Sequence, residues 1–80
     1  MDGGKFSAML SVIVPPVVGL ISTREGMSEA AATDLFYRSK VYARLSDESS
    51  KLWHYSAETL YSMYKDEIYG REIEYPEEAY

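Results

Sequence analysis

Residues Phe6 to Thr23 read FSAMLSVIVPPVVGLIST, eighteen positions in a row without a charged side chain. Phe6, Met9, Leu10, Ile13, Val17, Leu20 and Ile21 recur within it at intervals that return to one face of a helix. Three objects share this composition. A membrane-spanning helix needs about 20 predominantly apolar residues; this run is marginal in length, holds Pro15–Pro16 in its middle and carries Ser7, Ser11, Gly19 and Ser22. A signal peptide wants a positive leading region and a small-residue cleavage site, whereas MDGGK precedes the run and no A-x-A site follows it. The remaining object, the core element of a helical domain, is the reading taken here, with a membrane anchor through residues 6–23 as an alternative.

Pro15 and Pro16 decide the shape of that element. Each lacks an N–H and pushes the residue before it out of the α region. Either a helix starts at Pro15 in its N1 position, or one longer helix is kinked there. The spacing predicts a helix from Pro15 to about Glu25, closed by Gly26. The structure before Pro15 is left open, and the β-branched run Val12–Ile13–Val14 suits an extended segment.

Outward from this stretch, the helix signals are clear. Ser28 is a good N-cap with Glu29 in the favourable first turn, which predicts a helix from Glu29 to Arg38 or Ser39 that buries Ala32, Leu35 and Phe36. A short helix over 40–45 would turn Val41, Tyr42 and Leu45 inward. Ser46 to Ser50 form a turn cluster in which Asp47 caps a further turn reaching Leu52. The last helix starts at Ser56 and ends at Tyr69 before Gly70, with a stripe of Ala57, Leu60, Tyr61, Tyr64 and Ile68. The fold class is therefore all-α: a small bundle of three to four short helices around one core, with an extended acidic C-terminal tail. The chain reads as one domain, with an apolar segment over 1–14, a helical core over 15–70 and the tail over 71–80.

Charge and composition narrow the function. The 80 residues carry a net charge of −5 and no cysteine, which removes disulfides, thiolate metal sites and cysteine nucleophiles. Residues 1–46 hold five basic and four acidic side chains, and residues 47–80 hold three basic and nine acidic ones. A weakly basic trio, Arg38, Lys40 and Arg44, thus has an acidic complement in the same chain, an asymmetry that favours self-association. The same acidic half disfavours nucleic acid, which needs several cations on one face; a nucleic-acid-associated or antitoxin-like regulator working through that trio is a further alternative.

No enzyme signature emerges. His54 lacks the spacing of a nucleophilic triad and reads as a structural histidine at a turn. Asp47–Glu48, Asp66–Glu67 and Glu77–Glu78 are sequence neighbours that point apart on a helix. Calcium-loop and glycine-rich phosphate-loop spacings are both missing. No catalytic residue, cofactor or metal is expected. The aromatics are more telling: the eight tyrosines, with Phe36 and Trp53, suit half-buried boundaries and protein interfaces. The expected function is a non-enzymatic, cytoplasmic protein-interaction module that forms a homodimer. Its expected contact residues are Tyr37, Arg38, Lys40, Tyr42, Arg44, Trp53, Tyr61 and Tyr64.

The segments Leu35–Phe36–Tyr37–Arg38–Ser39–Lys40, Asp47–Glu48, Leu52–Trp53–His54–Tyr55–Ser56 and Leu60–Tyr61 together resemble a group of small stand-alone bacterial proteins of unknown function. The resemblance covers about residues 15 to 70 and implies a soluble, cytosolic, mostly helical chain with no assigned enzymatic activity. It brings no functional residues with it.

Overall fold

In the computed structural model of the chain, which describes residues 3–70, the uncharged stretch lies inside one long helix, α1 (Gly3–Glu25). The helix starts well before Pro15 and passes through both prolines, where the spacing predicted a start. The reason is tertiary: Phe6 on the near side of the prolines and Val14, Val17, Val18 and Ile21 around and beyond them are all buried. Packing of that apolar face outweighs two missing hydrogen bonds and the β-branched preference of Val12–Val14. Its far end is as expected, because Gly26 adopts φ +70, the left-handed conformation that closes a helix without Cβ strain.

Three shorter helices follow: α2 (Glu29–Tyr37), α3 (Lys40–Leu45) and α4 (Ala57–Ile68). Each starts at a serine whose Oγ accepts a backbone N–H two or three residues into the first turn: Ser28 from Ala31, Ser39 from Tyr42 and Ser56 from Thr59. Such a cap satisfies one of the four orphan donors at a helix start. Ser39, the one buried polar side chain among the described residues, also donates to the Phe36 carbonyl at 2.6 Å, so its hydroxyl is fully used. Between α3 and α4 the chain makes two 3₁₀ turns, Glu48–Ser50 and Leu52–His54, joined at Lys51 with φ 60. Asp47 caps the first of them, as its place in the turn cluster predicted, by accepting from Ser49 N at 3.1 Å.

α1 is the central post, packed along α2 on one side and α4 on the other, while α3 and the 3₁₀ turns close the end between them. The core joins Val17 and Ile21 of α1, Ala32 and Phe36 of α2, Val41 and Leu45 of α3, Leu52, and Leu60, Tyr61, Met63 and Tyr64 of α4. The all-α bundle around one core is thus what the chain forms, with one long helix and three short ones. Two stripe residues fall outside the core. Leu35 is 43% exposed, because the buried side of α2 runs through Ala32 and Phe36 towards Thr33, leaving Leu35 on the opposite flank. Ile68 is 45% exposed, since the last turn of α4 runs past the end of the core. The acidic tail expected over 71–80 lies outside the described residues.

Candidate interaction surface

α1 spends only one side on the core. At 100° per residue, Val12 lies opposite Val14, Val17 and Ile21, and Lys5, Ala8, Pro16 and Gly19 share its side. Val12 is 72% exposed, and Ala8, Pro15 and Pro16 are exposed with it. Between Lys5 and Arg24 this outer side carries no charge over five turns of helix, and Thr23 at its far end is its polar residue. The prolines alter its polarity. Without N–H groups at positions 15 and 16, the carbonyls of Ser11 and Val12 have no helical donor. Ser11 Oγ meanwhile donates back to Ser7 O at 3.1 Å.

Beside this face, two open clefts separate α1 from α2 and share Val14, Pro15 and Tyr37. One, of about 290 Å³, runs over Leu10 and Ser11 to Tyr42. The other, of about 330 Å³, runs past Val18 and Gly19 to Thr33 and Glu29. Tyr37, 50% exposed, is the wall between them. A chain of edge-to-face rings holds it: Tyr37 on Tyr42 at 4.6 Å, Tyr42 on Phe36 at 5.6 Å and Phe36 on Tyr64 at 6.1 Å. Edge-to-face pairs at these distances add stabilisation beyond burial. The exposed tyrosine is therefore braced against the core and not free to sweep.

The eight residues expected to make contacts do not gather in one place. Tyr37 and half-buried Tyr42 line the cleft. Tyr61 and Tyr64 are 3% and 2% exposed, and as core residues they are not presented to a partner. Tyr61 O–H donates to Glu25 at 2.8 Å and Tyr69 O–H to the other oxygen at 2.9 Å. The two phenols, with Lys65 nearby, hold the Glu25 carboxyl below its usual range, against the opposing effect of burial. Burial, reinforced by the Glu25 carboxylate, pushes the Tyr61 phenol up to about 12. Trp53 is half-buried; its Nε1 donates to the Glu48 carbonyl at 3.1 Å and His54 stacks on its ring. Both side chains thus brace the 3₁₀ turns.

The basic trio stays on the surface of the fold. Arg38 pairs with Asp34 at 3.3 Å, one turn back on α2. The expected meeting of this segment with acidic residues occurs within the chain and through the backbone: Lys40 N and Val41 N both donate to the Glu67 carboxylate, at 2.9 and 3.0 Å. An anion at a helix start satisfies orphan donors and complements the helix dipole. Arg44 is exposed in the last turn of α3.

Sequence reasoning missed Val12, Pro15, Pro16 and Gly19 as surface. The signal was present: a stretch apolar all round has more apolar faces than a four-helix core covers. Among the described residues no three His, Asp or Glu side chains gather where they could hold a metal ion. One described helix, Gly4–Glu25 within α1, is long and apolar enough to cross a membrane, with 28% of its most apolar window buried in the fold. The chain matches no family model, no curated protein and no solved structure.

Proposed function

We propose that this chain is a non-enzymatic protein-interaction module that self-associates in the cytoplasm. Its contact surface is the outer side of α1 and the Tyr37-divided cleft beside it, not the tyrosines of α4. The observation that carries this is Val12, 72% exposed within five uncharged helical turns. Contiguous apolar surface of that kind marks interaction sites on soluble chains, and a braced aromatic beside it is a favourable anchor. Light scattering behind a sizing column, on detergent-free full-length chain, tests it. A discrete dimer that Val12→Lys converts to monomer is the expected result; a monomer at every concentration overturns it.

The length and hydropathy of α1 favour a second reading, a membrane anchor. One fact weighs against it: the side of α1 around Val17 and Ile21 is needed to complete the core. Chain that stays insoluble without detergent, and partitions with membranes on fractionation, would favour the anchor.

A further inference from the structure

We infer that the apolar side of α1 is covered by a second copy of this chain, with the two α1 helices antiparallel and crossing at Val12. The inference rests on the self-association proposed above and gives it a geometry. Register supplies the first argument. Lys5 and Gly19 each stand seven residues from Val12, two turns or about 10 Å away on the same side. A two-fold axis at Val12 therefore sets Ala8 opposite the partner's Pro16 and Lys5 opposite the partner's Gly19. Beside Gly19, across the cleft, stands Glu29. Antiparallel pairing thus brings Lys5 to the partner's Glu29 twice, once at each end of an otherwise uncharged strip. Parallel pairing would set lysine beside lysine, which opposes association. An interface related by a two-fold axis is self-complementary in this way.

Gly19 supplies the second argument. Glycine in a helix interior is less stable than alanine, through backbone entropy. Here a Cβ would meet nothing within 4 Å and the backbone does not need left-handed φ. The fold of one chain makes no use of the missing side chain. A helix laid against that side does, because two backbones approach most closely where side chains are small.

The chain has no cysteine, so a single introduced thiol reports on proximity without background. Full-length Val12→Cys, treated with a short bis-maleimide under native conditions, should give mostly covalent dimer. Ser62→Cys, on the exposed side of α4, should give little. Lys5→Glu and Glu29→Lys should each raise the dissociation constant roughly tenfold, and both together in one chain should bring it back to within about threefold of the original. Gly19→Ala should raise the melting temperature of dilute monomer and weaken the dimer. A dimer by light scattering that Val12→Cys fails to cross-link overturns the antiparallel geometry and leaves self-association standing. A monomer at all concentrations removes both.

Discussion

α1 and α4 pack against each other and supply most of the core, yet they are built from opposite materials. α1 has no charge from Phe6 to Thr23, where its only polar side chains are Ser7, Ser11, Ser22 and Thr23. α4 carries Glu58, Lys65, Asp66 and Glu67 within twelve residues and still buries Leu60, Tyr61, Met63 and Tyr64. Its polar side meets water or finds partners: Glu58 takes Arg24 in a two-pronged ion pair, and Glu67 caps α3. The difference teaches where apolar surface is left over. α4 is buried on one side and solvated on the other, with Ile68 exposed only in its last turn. α1 has apolar surface beyond what this core uses, and the excess faces outward around Val12.

The comparison breaks most easily at its aromatic side. Tyr64 is almost fully buried and ends the ring chain that runs to Tyr37. Tyr64→Ala should cost about 3–5 kcal/mol, as for other large aromatics in a core, measured by urea unfolding. If α4 were an interaction helix instead of a core helix, the same substitution would weaken association and barely move the unfolding midpoint.

A change of opposite sign is expected in the middle of α1. Pro15 leaves the Ser11 carbonyl without a helical donor, and a proline in a helix interior costs about 3 kcal/mol against alanine. Part of that is offset by the stiffer unfolded chain. Pro15→Ala should therefore stabilise the single chain by about 1–2 kcal/mol in the same urea assay. A loss of stability would instead give the proline ring a packing role in the cleft.

How far the sequence foretold this contrast depends on which physics decided each feature. The starts at Ser28 and Ser56 were legible because capping is local; Ser39, read only as a possible end of α2, caps α3 instead. The closures at Gly26 and Gly70, both at positive φ, were legible too. The start of α1 was not, because Pro15 and Pro16 are strong local breakers overridden by burial of residues on both sides of them. Helical spacing set Tyr61 and Tyr64 on the inward stripe of α4, where they lie, but tyrosine serves core and surface alike, so the same two were also expected as contacts; Tyr37 and Tyr42 stand at the cleft. Nothing local announces that Glu67, 27 residues from Lys40, will cap α3.

The polar seam between α1 and α4 gives the comparison a pH dependence. Glu25 is held below its usual range by the phenols of Tyr61 and Tyr69, so its contribution is present above the ordinary carboxylate range and is lost as pH falls through its lowered value. Tyr61 behaves oppositely at the other limb. Its phenol, raised to about 12, favours the folded chain fully below pH 10, and that contribution fades between pH 10 and 12. Tyr61→Phe keeps the ring, removes the Tyr61 linkage and weakens that of Glu25, which keeps its bond from Tyr69. Melting temperature plotted against pH should therefore fall less steeply at both the acid and alkaline ends in this variant. Unchanged limbs would assign the pH dependence to other groups, with Tyr64, raised by its burial, first among them at the alkaline end.

The smallest expected effect on folding falls at the most exposed residue and discriminates best. Val12 lies opposite the core side of α1, so Val12→Lys removes no core contact and should change unfolding free energy by no more than about 0.5 kcal/mol. Its side chain is flexible and its charge remains in water in the single chain. Placed at the centre of an apolar contact, the same charge would be desolvated with no partner, a cost of several kcal/mol that association does not survive. Urea unfolding of dilute chain and light scattering of concentrated chain should therefore separate, with the first unchanged and the second reporting monomer. If both change together, the outer side of α1 supports the fold of the single chain. If neither does, the excess apolar surface that distinguishes α1 from α4 is not where this protein makes its contacts.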